Sequence, residues 1–149
     1  MTTIACDGKS MAADGQAQAG GAICCRSMVK VFALSDGSLY GACGDSGDGE
    51  RHMKWVDEGC EGAPPEKLDT DFGFLCLRPT GRLFEGGSSA LLTEIEAPFA
   101  VGSGGEIALG AMDAGATAEQ AVAIAASRNP HTGGKVTCLR LEPALRAVE

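Results

Sequence analysis

Hairpin signals at the start of the chain, and helical signals gathered toward its end, constrain the fold most. Thr2–Cys6 and Met11–Ala13 are short apolar runs on either side of Asp7-Gly8-Lys9, a turn that joins antiparallel strands. Ala22–Cys25 and Val29–Leu34 follow as strands, and Ser35-Asp36-Gly37-Ser38 turns the chain into Leu39–Cys43. The period then changes. Met53, Val56 and Cys60 recur at helical spacing with Arg51, Lys54 and Glu58 between them, which predicts a helix over Glu50–Cys60. Glu61–Asp71 holds Gly62, Pro64 and Pro65 and reads as a loop. Strands are predicted at Phe72–Leu77, Leu83–Glu85, Leu91–Ile95 and Phe99–Val101, the first two separated by the turn Pro79-Thr80-Gly81-Arg82.

Gly102-Ser103-Gly104-Gly105 opens a helix that runs to about Ala114. Thr117 and Gln120 form a T-x-x-Q capping box for another, whose small apolar face is Ala118, Ala121, Val122 and Ala125. This helix stops before Pro130; Lys135–Leu141 is a last strand and Glu142–Glu149 a tail. Hairpins with helices in groups imply an α+β layered domain, not an alternating βαβ unit, and residues 1–149 suit one domain.

Composition narrows the function. The net charge of −8 argues against nucleic acid and anionic membranes as partners. No apolar stretch approaches the ~20 residues needed to span a bilayer, and the start lacks the basic and apolar regions of a signal peptide. The seven cysteines, with no C-x-x-C pair, read as reduced and buried, so the expected location is cytoplasmic. His52 and His131 stand alone, so no metal site is expected. Gly102-Ser103-Gly104-Gly105 has Ile107 where a dinucleotide fingerprint needs its third glycine.

The chemistry-bearing feature is Met1-Thr2-Thr3. Removal of Met1 would leave Thr2 with a hydroxyl and a free α-amine, nucleophile and base in one residue. Threonine is small enough for ordinary methionine removal. An α-amine has a reference pKa of about 7.7–8.0, so it is partly neutral at working pH. A nearby ammonium disfavours its protonation and favours a developing alkoxide. Lys30 can supply that charge, and Asp14, sixteen positions earlier, can hold Lys30 in place. A backbone N–H at Gly44 could stabilise an oxyanion.

In these parts the chain resembles the proteasome β-subunit and HslV family of N-terminal-nucleophile (Ntn) hydrolases. The resemblance runs through Met1-Thr2-Thr3-Ile4, Ala13-Asp14-Gly15-Gln16, Val29-Lys30-Val31, Gly41-Ala42-Cys43-Gly44 with Asp48, and Val101-Gly102-Ser103-Gly104-Gly105. It implies a four-layer αββα sandwich, two antiparallel sheets between helical layers. It also implies a threonine endopeptidase that needs no cofactor and acts on a peptide or unfolded protein. Thr2 matches the nucleophile, Asp14 and Lys30 the charged pair, Gly44 the oxyanion glycine, and Ser103 the serine beside the terminal amine. Asn129 and Thr132 stand where the family usually has an aspartate and a serine of the catalytic set. Gln18 and Ser46 lie in segments that would bind substrate backbone, and Ala42 matches a pocket-floor position. The family forms rings, which implies a homo-oligomer. Glu61–Asp71 replaces a helix usual in the family, so an ATPase unfoldase partner stays open. Two other readings remain: a catalytically inactive or specialised assembly protein of this fold, and a small-molecule amidohydrolase.

Overall fold

Alternation along the first strands decides how the layers stack. A computed structural model describes residues 2–142; Met1 and most of the expected tail, residues 143–149, lie outside the described residues. The strands β1 (Thr3–Cys6) and β2 (Ser10–Ala13) form the expected hairpin, with Asp7 Oδ1 accepting the N–H of Lys9 and Ser10 and Gly8 at φ +94°. Ile4, Cys6, Met11 and Ala13 point to one side of this hairpin and Ala5 and Ala12 to the other, the two-residue period of a sheet buried on both faces.

Then come β3 (Ala17–Ala19), β4 (Ala22–Cys25), β5 (Val31–Ala33), β6 (Leu39–Cys43) and the helix α1 (Ser46–Asp57). After them run β7 (Gly73–Leu77), β8 (Leu83–Gly86), β9 (Thr93–Ile95), β10 (Phe99–Gly102), α2 (Gly105–Asp113), α3 (Ala118–Ala126) and β11 (Thr137–Arg140). The strands pair in the orders β10-β1-β2-β11, β3-β4 and β5-β6-β7-β8-β9, and every pairing is antiparallel. The α+β class expected from the sequence is what forms.

Three apolar clusters hold the elements together. Ile4, Cys6, Met11 and Ala13 of the four-stranded sheet meet Val31, Leu39, Leu75, Leu77 and Leu83 of the five-stranded one. The alanine face of α3 (Ala118, Ala121, Val122, Ala125) packs with Met112 of α2 against Ala5 and Ala12. The outward residues Tyr40, Phe74 and Cys76 meet Val56 of α1, together with Phe72 and Leu68. Burial of each such Leu, Phe or Met contributes roughly 1.5–3 kcal/mol. Among the described residues no helix is long and apolar enough to cross a membrane.

Several boundaries differ from the sequence expectation. Helix α1 begins four residues before Glu50, because Asp45 Oδ1 caps it by accepting the N–H of Gly47 and Asp48. Periodicity missed that first turn because Gly47 and Gly49 carry no side chain. It ends at Asp57, short of Cys60, where Gly59 and Cys60 both take positive φ. Strand β3 escaped notice because Ala17-Gln18-Ala19 shows no apolar run. Cys24 is exposed and Cys25, Cys60 and Cys138 are half-buried, so only Cys6, Cys43 and Cys76 match the expected burial. The α3 capping box forms as read, with Thr117 and Gln120 bonded reciprocally.

His52 sits fully buried between α1 and the five-stranded sheet. Its Nε2 lies 2.8 Å from the Ala90 carbonyl oxygen, which can only accept, so Nδ1 takes the Tyr40 hydroxyl proton at 2.7 Å. Burial lowers the His52 pKa, and the Ala90 bond only partly offsets this. The unfolded chain therefore binds the proton more readily. Stability is full above about pH 6.5 and is lost as pH falls from there through the lower folded-state value. Urea midpoints at about pH 7.5 and pH 5 should show this slope in the wild type, and a His52→Gln variant should lack that part of it.

Candidate active site

Strand pairing brings the charged residues to one place. In the β1–β2 register Ile4 faces Ala13, so Thr3 and Asp14 are the next residues out along the hairpin. Asp14 Oδ1 accepts the Thr3 N–H at 3.0 Å, which fastens the start of β1 to the end of β2. Lys30 immediately precedes β5, whose Val31 pairs with Gly41 of β6. A methyl carbon added at Gly41 would lie 2.9 Å from Ile4 Cγ2, so the absence of a side chain there lets the two sheets approach.

Lys30 Nζ then has three acceptors in reach: Thr2 Oγ1 at 2.9 Å, Asp14 Oδ1 at 3.0 Å and the Gln16 carbonyl oxygen at 2.6 Å. An ammonium has three N–H donors, and all are used. Asp14 is wholly buried, and Thr2 and Lys30 are each 7% exposed. The second Asp14 oxygen accepts from the N–H of Gly133 at 3.1 Å and of Gln16 at 3.4 Å. Burial pulls the Lys30 pKa down, and the Asp14 charge and hydrogen bond oppose that without cancelling it.

Gly44 immediately follows β6 at φ +105°, a conformation that favours glycine. Thr2 and Gly44 both line two neighbouring cavities. One, of about 270 Å³, is walled by Met28, Val29, Phe32, Ala42 and Met53, with Ser46 also at its edge. The other, of about 580 Å³, is bordered by Asp45, Asp69, Asp71 and Ser103.

Ser103 donates its N–H to the Thr2 carbonyl at 2.8 Å, and its own carbonyl accepts from Asn129 Nδ2 at 3.0 Å. Its hydroxyl is buried with no partner among the described residues. Thr132 Oγ1 lies 2.7 Å from Thr3 Oγ1 and donates to Asn129 Oδ1 at 3.3 Å.

Thr2, Asp14, Lys30, Gly44, Ser103, Asn129 and Thr132 therefore gather at one locus, with Ala42 and Ser46 at its smaller cavity. Gln18 lines neither cavity; its side chain stands 3.3 Å from His131 Nδ1. Sequence reading gave no role to Thr3, Gln16 or Gly133, all of which bond into the network. Their signal was faint: adjacency to Thr2 and Asp14, and a glycine pair after Thr132. The three aspartates of the larger cavity were likewise missed, because they come from two segments that only the fold brings together.

No protein-family model and no curated protein matches the chain. Solved structures do. Thiobacillus denitrificans BPH is 22% identical at a TM-score of 0.66, over 95% of this chain and 98% of that one. A second BPH structure, in complex with epoxomicin, is 20% identical at a TM-score of 0.65, over 95% and 99%. HslV from Trypanosoma brucei is 19% identical at a TM-score of 0.69, over 94% and 99%. By its fold, this chain is proteasome β/HslV-like.

Proposed function

We propose that this chain is a threonine peptidase of the proteasome β/HslV type that acts on extended peptide or unfolded-protein segments. The observation that carries the reading is the buried Lys30 ammonium, 2.9 Å from Thr2 Oγ1 and 3.0 Å from Asp14 Oδ1. Cleavage between Met1 and Thr2 frees the Thr2 amine. That amine takes the hydroxyl proton as Oγ1 bonds to the substrate carbonyl carbon. The Lys30 charge favours the developing alkoxide, and the Gly44 N–H stabilises the oxyanion, a contribution typically worth ~3–4 kcal/mol. Collapse breaks the scissile C–N bond, and the proton passes from the terminal ammonium to the leaving amine. Water then cleaves the threonine ester, releasing the acid and restoring Thr2.

The apolar wall of Met28, Val29, Phe32 and Met53 over the Ala42 floor suits an apolar side chain of the substrate. Ser46, at the edge of this cavity, offers main-chain bonds to the extended peptide, and Gln18, which lines neither cavity, would meet that peptide farther along its length. In this reading residues 1–149 are one four-layer αββα domain, with α2 and α3 as one helical layer and α1 as the other. The protein is a cytoplasmic homo-oligomer that needs no metal or organic cofactor, and no ATPase partner is assigned.

The test is hydrolysis of a fluorogenic peptide with an apolar residue before the scissile bond. The wild type should cleave it, and Thr2→Ala should lose at least about 10³-fold in kcat with an unchanged melting temperature. A wild type that cleaves no peptide but hydrolyses small amides would move the assignment to an amidohydrolase. A mature protein that retains Met1 would move it to an assembly protein.

A further inference from the structure

Asn129 follows α3, its N–H bonded back to the Ala125 carbonyl at 2.8 Å, and every polar atom of its side chain is engaged. Oδ1 accepts the His131 N–H at 2.9 Å, which fixes which end of the amide is oxygen. Nδ2 therefore points at the Ser103 carbonyl oxygen, 3.0 Å away, and that oxygen can only accept.

The direction of the neighbouring hydroxyls follows. Thr132 Oγ1 spends its proton on Asn129 Oδ1, so across the 2.7 Å contact it must accept from Thr3 Oγ1. Thr3 Oγ1 in turn accepts the Gly104 N–H at 3.0 Å. The result is one polarised chain from Gly104 through Thr3 and Thr132 to Asn129. Its far end runs from Asn129 Nδ2 to the Ser103 carbonyl, and the Ser103 N–H holds the Thr2 carbonyl at 2.8 Å. One side chain thus reaches both Thr2, through Ser103, and Thr3, through Thr132. Thr3 and Thr132 are buried, so water does not replace the bond between them, while the Asn129 bonds are half-buried.

A carboxylate at this position would keep both acceptor roles and lose the donor. It would set a negative oxygen against the Ser103 carbonyl oxygen at hydrogen-bond distance. We propose that Asn129 is a positioning residue whose neutral amide is required: its N–H pins Ser103, and through it Thr2, at the place where the Thr2 hydroxyl meets Lys30. The inference rests on the peptidase reading and reverses what the family resemblance alone would lead one to do. Installing aspartate at 129 should impair this enzyme.

The experiment compares wild type, Asn129→Asp and Asn129→Ala by steady-state peptide hydrolysis and thermal melting from about pH 8 to about pH 5. Asn129→Asp should lose at least tenfold in kcat at the alkaline end with KM within about twofold, because the apolar cavity is unaltered. The ratio of its kcat to that of the wild type should rise as pH falls, since a protonated carboxyl regains an O–H donor for Ser103. Asn129→Ala should show a loss whose ratio to wild type is flat with pH. The other titratable groups around the locus are common to all three proteins: the freed Thr2 amine, Asp14 and Lys30, paired with each other, Cys43, Asp45, Asp69 and Asp71 of the larger cavity, and His131 beside Gln18.

Wild-type kcat or better in Asn129→Asp at about pH 8, or a deficit that does not shrink on acidification, would overturn the proposal. Should Asn129→Asp be too unstable for kinetics, its melting temperature relative to wild type carries the same test. A deficit that narrows at low pH supports the amide requirement, and a constant one refutes it. If the wild type itself hydrolyses no peptide, the peptidase reading fails. The melting comparison still decides the contact between Asn129 and Ser103.

Discussion

Lys30→Met should reduce peptide hydrolysis by at least about 10³-fold in kcat, with little change in KM. The substitution keeps an unbranched side chain as far as Cε and removes Nζ, with the charge that Thr2 Oγ1 faces at 2.9 Å. It also strands Asp14, which has no exposure to water. Loss of one partner of a buried pair typically costs about 3–5 kcal/mol. Asp14 keeps N–H donors from Thr3, Gln16 and Gly133, so the lower end of that range is expected. Adding Asp14→Asn to Lys30→Met should recover only part of the stability and none of the activity, because both Asp14 oxygens accept backbone N–H groups and an amide nitrogen would face one of them. Urea denaturation and kinetics on the same samples separate the two effects. Because burial lowers the Lys30 pKa, its charge is lost at a pH below the ordinary lysine value of about 10.4. The alkaline limb of wild-type activity should fall correspondingly early.

Gly102→Ala should be nearly as damaging, although residue 102 carries no chemical group. Gly102 takes φ +98° and pairs with Thr3. A methyl carbon there would overlap the Thr2 carbonyl oxygen, the acceptor of the Ser103 N–H. Either β10 or Thr2 must move. A displacement of about 1 Å at a reacting atom costs on the order of 10²-fold in rate. Backbone strain at positive φ adds about 1–3 kcal/mol of instability. Gly110→Ala is the matched control. It lies inside α2 with open space around it, so alanine should stabilise the protein by about 0.5–1 kcal/mol and leave kcat unchanged.

What was legible in the sequence was what a short stretch determines by itself. The Asp7-Gly8 turn, the short apolar runs of β1 and β2, and the capping box of α3 each act within a few residues and formed as read. The first turn of α1 was not legible, because its signal is a cap at Asp45 followed by two glycines, with no apolar period. Strand β3 was not legible because an exposed hairpin needs no apolar face. The same distinction runs through the site. Thr2, Asp14 and Lys30 could be singled out because each has a chemical reason for its type. Thr3 and Gln16 could not, since they contribute a hydroxyl and a carbonyl whose value depends on register. Nor could the sequence reveal how Asn129 replaces a carboxylate, because the answer lies in Ser103, twenty-six residues away, and in the direction of its carbonyl.

The most direct measurement is intact mass after incubation with a β-lactone, a reagent whose ring opens onto a nucleophilic hydroxyl to leave a stable ester, followed by peptide mapping. The expected species lacks Met1, carries one lactone and has the adduct on Thr2. Lys30→Met should form it at least about a hundredfold more slowly. A protein that keeps Met1 and takes up no lactone, or one that carries the ester on another residue, would contradict the assignment of Thr2 as the nucleophile.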